Sequence, residues 1–225
     1  MSDPTHYTVG WICALSTEYV AAQAFLDQKH KGPDFVSPAD SNDYILGRMG
    51  KHNVVIAVLP NGEYGIYSAT GVAKDMLHTF TNIRTGLMVG IAGGAPTQKH
   101  DIRLGDIVTI QDRSFQTTGF LNQPPVVLRT AVSGLKSHYE LEGHGLKEVI
   151  DSTLAKKPKL QKKYKRPDRG SDILFQSTVV HLNDEEHCSV TCGRSPTNLV
   201  PRLERTEDED APAIHYGQIA SANQL

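Results

Sequence analysis

Chemistry in this chain is most legible between Gly86 and Asp106, where glycine and apolar residues alternate in blocks. An apolar run, Leu87 to Ile91, delivers Gly90, Gly93 and Gly94 into a loop at its carboxyl end. Glycines let backbone approach a ligand closely and leave N–H groups uncovered by a Cβ. In open α/β sheets, ligands bind beyond the carboxyl ends of the strands. A glycine-rich turn that holds no ligand fits the same residues. No Gly-Lys-Ser/Thr follows, so the loop is not a P-loop, and G-x-x-G-G lacks the spacing of a dinucleotide fingerprint. His181, His187, Cys188 and Cys192 are zinc-ligand types, but H-x5-H-C-x3-C matches no common site. No metal and no cofactor is therefore expected. Lys156 to Arg169 carries eight basic residues in fourteen with one aromatic, Tyr164. Without a groove-reading framework that run reads as a solvated segment rather than a nucleic-acid surface.

Composition narrows the class. The 225 residues are 39% hydrophobic and 21% charged, ordinary for a globular protein and unlike a collagenous or disordered chain. Lys plus Arg is 23 against 25 for Asp plus Glu, so no global field marks a nucleic-acid binder. Three cysteines are too few for a disulfide scaffold. No apolar run approaches the roughly 20 residues that span a bilayer. Met1 to His6 has neither a basic n-region nor an apolar h-region. A reduced cytoplasmic or nuclear location, with no membrane partner, is expected.

Elements that could position the loop come mostly from the first half. Tyr7 to Leu15 is a nearly continuous apolar run, the pattern of a strand covered on both faces. Ser16-Thr17 could cap a helix over 18–27 that buries Val20, Ala21, Ala24 and Phe25. Ile45 to Met49 and Val54 to Leu59 read as strands joined by a tight turn. Ala69, Val72, Ala73, Met76, Leu77 and Phe80 form one helical stripe at 3.6-residue periodicity. Leu87 to Ile91 reads as a short buried strand, and Asp106 to Ile110 as another. Strands alternating with helices predict an α/β protein with a mostly parallel sheet. The second half is less regular. Pro124-Pro125 opens a helix carrying Val127, Leu128, Ala131 and Leu135, and Leu146, Val149, Ile150 and Leu154 suggest one more. Glu204 to Asp210 holds five acids in seven, and strand character returns at 214–220.

Several stretches in order resemble the nucleoside phosphorylase family. They are Val9-Gly10-Trp11-Ile12-Cys13-Ala14-Leu15 followed by Glu18, Asn61-Gly62 before a helix, and Val89-Gly90-Ile91-Ala92-Gly93-Gly94. Leu104-Gly105-Asp106-Ile107-Val108 and His215-Tyr216-Gly217-Gln218-Ile219-Ala220-Ser221 complete the set. The subgroup most similar contains methylthioadenosine/S-adenosylhomocysteine nucleosidase, in wording like a fungal branch often fused to NACHT or ankyrin repeats. The resemblance implies one domain over 1–225: a matching core at 7–110, an irregular insertion-rich part at 111–213, and a returning strand at 214–225. It implies a three-layer α/β/α sandwich around a mixed sheet, with a purine nucleoside across the carboxyl ends of the strands. Glu18 then matches the acidic residue that positions the attacking water, a task suited to a carboxylate because glycosidic cleavage passes through an oxocarbenium-like state. Taken alone, Glu18 also suits the first turn of its helix. Gly62, Gly90, Ala92, Gly93 and Gly94 match the segments along base and ribose, and Ser221 to Leu225 the segment that recognises the purine.

Two departures shape the expected activity. Where the phosphorylases place a phosphate-gripping arginine, this chain has Met88, which cannot neutralise phosphate. Hydrolysis is therefore expected over phosphorolysis. The family's Met-Glu-Ala-Ala-Gly-like helix and its Ser-Asp segment, which supply a ribose ligand and the acid for the leaving base, have no match here. The resemblance therefore reads as a C-terminally truncated member, weak or inactive, with an exposed sheet layer that a second copy or a partner chain would complete. A non-catalytic nucleoside-binding or interaction module is the alternative. Glu18→Gln is expected to leave the fold intact while removing turnover.

Overall fold

The computed structural model describes residues 2–94, 96–97, 100–110, 125–183, 185–206 and 212–217. They fall into two compact units, one up to Gly93 and the other from Gly94 onward. In the first unit a five-stranded sheet runs in the order β2-β3-β4-β1-β5. Its strands are β1 (Val9–Cys13), β2 (Gln28–Lys29), β3 (Tyr44–Met49), β4 (His52–Val58) and β5 (Thr85–Met88). β1 pairs in parallel with β4 and with β5, whereas β2–β3 and β3–β4 are antiparallel. The sheet is thus evenly mixed rather than mostly parallel.

Residue alternation along these strands decides which helix covers which face. Val54 and Ile56 pack with Cys13, Tyr19 and Ala22, on the side of α1 (Ser16–Ala24). Val55 and Ala57 pack with Leu46, Val72, Met76 and Phe80, on the side of α2 (Ile66–Thr79). Gly10 permits that second contact, because a Cβ there would lie 2.7 Å from Met76 Sδ. The hairpin β3–β4 turns at Gly50, whose φ of +58° suits glycine.

Local patterns misjudged several faces. Ser16 and Thr17 are helical residues rather than caps, and the N-cap is Leu15. The buried side of α1 is Glu18, Tyr19 and Ala22, while Val20 is exposed. The inward stripe lies two positions earlier than expected, which at 3.6 residues per turn is about 200° around the helix. Leu77 of the α2 stripe is exposed and Thr79 is buried, its hydroxyl donating to Asp40 Oδ2 at 2.5 Å. Among the described residues β5 is an edge strand, with Met88 62% exposed, not a buried one. An apolar run reveals a strand but not whether a neighbour lies beyond it.

The second unit has little apolar core. Its strands β6 (Ile107–Ile110) and β7 (Ile214–Gly217) pair in parallel. Helices α3 (Val126–Glu142) and α4 (Leu146–Ala155) form where the proline start and the periodicity predict, α5 (Pro158–Tyr164) forms within the basic run read as a solvated segment, and none of the three buries a residue. Val127, Leu135 and Val149 are exposed. Beyond Gly93 the buried residues described are Cys192 and Pro212. Among the described residues, no helix is long and apolar enough to cross a membrane.

Candidate functional site

Glu18 reaches back from the first turn of α1 to the carboxyl end of β1. Its Oε2 accepts the backbone N–H groups of Ala14 at 2.8 Å and Leu15 at 2.9 Å. Its Oε1 accepts the N–H of Ile91 at 2.7 Å, in the segment that follows β5. The residue is 7% exposed, so a buried carboxylate joins the ends of two adjacent parallel strands. Backbone donors satisfy its charge in place of water, the condition for burying an ion without an opposing cation.

Gly90 is glycine because Glu18 is there. A Cβ at position 90 would stand 2.6 Å from Oε1 and 2.9 Å from the carboxyl carbon. Gly90→Ala must therefore displace a side chain held by three hydrogen bonds, at a cost of about 1–2 kcal/mol. Gly93→Ala is the matched control, since a Cβ there meets nothing within 4 Å. Thermal denaturation of the pair checks this: Gly90→Ala should melt lower and Gly93→Ala should not.

The structure thus brings Glu18, Gly90 and Ile91 together. Ala92 and Gly93 follow on exposed backbone. Gly94 opens the second unit, where its missing Cβ leaves room for Ile102, otherwise 2.8 Å away. Gly62 sits in the exposed loop before α2 with φ +83°, which explains the glycine without a ligand. Ser221 and Leu225 lie outside the described residues. Met88 occupies the end of β5 and is exposed. Cys13, one strand position before Ala14, is fully buried. Burial pushes its thiol up to about 12, and the neighbouring Glu18 charge adds to that. It is a packing residue, not a nucleophile.

Sequence reasoning missed one cluster in the second unit and set a second aside on its spacing. Asp106, with a fully buried side chain, accepts a bidentate pair from Arg205 at 2.9 and 3.0 Å. It also accepts His215 Nε2 at 2.8 Å and the N–H groups of Arg103 at 2.9 Å and Ala213 at 3.1 Å. Burial opposes its ionisation, but the Arg205 and His215 hydrogen bonds outweigh that and hold the carboxyl below its usual range. The second cluster brings His181, Cys188 and Cys192 together, their ligand atoms all within 4.8 Å of one another. Neither cluster is announced by local spacing, because Asp106 meets partners about a hundred residues away.

Comparison with known proteins places the chain beside one much longer relative. It is 37% identical, over 239 aligned positions covering 99% of the chain, to a protein of Hyaloscypha variabilis. That protein is named a nucleotide-binding leucine-rich repeat (NLR)-like protein, and the chain spans 23% of its length. No protein-family model matches the chain, and no solved structure matches it.

Proposed function

We propose that this chain is a purine-nucleoside N-glycosidase module, built as a three-layer α/β/α sandwich, within a larger NLR-like protein. The observation that carries the reading is the buried Glu18 carboxylate at the carboxyl ends of β1 and β5, closed over by Gly90. Carboxyl ends of parallel strands are where α/β sheets hold ligands. A carboxylate fixed there by backbone N–H groups is positioned to accept a proton from a water attacking C1′. The C1′–N bond breaks as the water oxygen bonds to C1′, and the departing purine takes its proton from solvent. Gly90, Ala92 and Gly93 offer backbone along which base and ribose could lie, with no Cβ at the two glycines. Met88 in the place of a phosphate-binding arginine favours water over phosphate as acceptor. The module would work in the cytoplasm or nucleus.

One observation favours a second reading, a nucleoside-binding module without turnover. Glu18 already accepts three backbone hydrogen bonds, which is also what a structural anchor between α1, β1 and the Ile91 segment would do. Free-base release separates the two. Adenosine, inosine and 5′-substituted analogues are incubated with the protein, with and without phosphate, and free base is followed by chromatography. Release without phosphate is the expected result. Release that requires phosphate would turn the reading to phosphorolysis, and calorimetric binding without release would establish the second reading.

A further inference from the structure

We propose that His181, Cys188 and Cys192 form a zinc site with two thiolates, one imidazole and an open fourth corner. Cys188 and Cys192 flank the single turn α6 (Cys188–Thr191), and Cys192 N–H donates to Cys188 O at 2.9 Å. That helical i, i+4 relation puts both sulfurs on one face. His181, eleven residues before Cys192, returns its ring to the same face. Its Nδ1 lies 3.2 Å from Cys192 Sγ and 3.7 Å from Cys188 Sγ.

The nitrogen-to-sulfur sides of this triangle fit a metal's donor set. Zn–S bonds of about 2.3 Å and Zn–N bonds of about 2.0 Å at tetrahedral angles separate N from S by about 3.5 Å. The two observed separations bracket that value. A ring N–H serves one acceptor well, so two sulfurs converging on one nitrogen fit a common centre better than a hydrogen bond. Soft thiolates with imidazole select zinc over magnesium or calcium, which take oxygen donors. Cys188 is exposed and gives the ion a path in, while Cys192 is 8% exposed and shields one side. Binding releases two thiol protons to solvent and leaves a neutral centre, with water at the fourth corner.

The surroundings give such an ion work to do. Asn198 Nδ2 donates to Cys192 O at 3.0 Å, and Phe175 bridges Leu199, so residues 175–199 close on themselves around the cluster. With few buried apolar residues described beyond Gly93, a metal is the kind of staple that small, core-poor structure uses. The C-x3-C pair alone did not announce the site, because its third donor precedes it across an irregular turn.

The test uses the 225-residue chain purified from zinc-supplemented cells under reducing conditions. Elemental analysis should find about one zinc per chain, falling about tenfold or more in Cys188→Ser and His181→Ala. Cobalt exchanged into the wild type should show thiolate-to-metal charge-transfer absorbance that is lost in Cys188→Ser. Since Cys188 is exposed, that variant remains readable even where Cys192→Ser fails to fold. Metal content unchanged by these substitutions would overturn the site. So would a wild-type chain lighter by two hydrogens through a Cys188–Cys192 disulfide.

Discussion

Glu18→Gln should lower base release by about 10²-fold or more and also lower the melting temperature, two effects with separate causes. The first follows because an amide cannot take a proton from water in the transition state. The second follows from the three donors that converge on the carboxylate. A carboxylate accepts at both oxygens, whereas an amide must turn its NH2 towards either the Ile91 N–H or the Ala14 and Leu15 pair. Donor then faces donor in a site that is 7% exposed, which costs about 2–3 kcal/mol. The isosteric variant is thus not the neutral probe that residue shape alone suggests. Glu18→Asp, too short to span Ala14 and Ile91 together, should also be destabilised while keeping a carboxylate. Turnover measured beside chemical denaturation reads both effects. Unchanged stability in Glu18→Gln would refute the anchoring geometry, and unchanged turnover in a folded variant would remove Glu18 from the chemistry.

Asp106→Ala should have the largest effect on stability, about 3–5 kcal/mol within the second unit. Removing this carboxylate leaves the Arg205 guanidinium buried without its bidentate partner, the costly way to break a buried ion pair. It also frees the Ala213 N–H and His215 at the entry to β7, beside the Ile107 N–H that donates to Ala213 O at 2.8 Å. A two-stranded parallel sheet is marginal alone, so β7 should detach from β6. Hydrogen exchange over 107–110 and 214–217 should accelerate while β4 in the first unit keeps its protection. The pH dependence follows from the lowered Asp106 pKa. Its stabilisation is complete above the ordinary carboxylate value and is lost as pH falls through the lower folded value. The wild type should therefore lose β7 protection in acid below about pH 4, and Asp106→Ala should lack that step. Exchange at 214–217 that is indifferent to the substitution would show that the clamp does not hold the strand.

Much of the first unit is written in short-range patterns. Ile45 to Met49 and Val54 to Leu59 read as strands joined by a tight turn, and the structure forms that hairpin, with one face packed against α1 and the other against α2. The stripe Val72, Met76 and Phe80 predicts the inward side of α2 correctly. Gly90 at the end of a strand announces a close approach, although what approaches is the Glu18 carboxylate of the protein itself. These features are legible because period and residue size act over a few positions.

Other features depend on where distant segments meet. Leu87 to Ile91 reads as buried, but among the described residues β5 lies at the sheet's edge, and no residue within the run says whether a neighbour follows. Helices α3 and α4 are legible as helices, but where their apolar residues lie is not, since amphipathicity predicts a face and not its cover. Asp106 reads only as the first residue of a strand until Arg205 and His215 return to it from about a hundred residues along the chain. His181, Cys188 and Cys192 match no zinc spacing, yet their donor atoms converge once a turn folds the histidine back. Sequence by itself determined most of the elements, the inward stripe Val72, Met76 and Phe80, and the glycine that must have no side chain. Only tertiary structure decided the partners of buried charge, because a carboxylate's burial is set by donors that close across the fold, not by its neighbours in the chain.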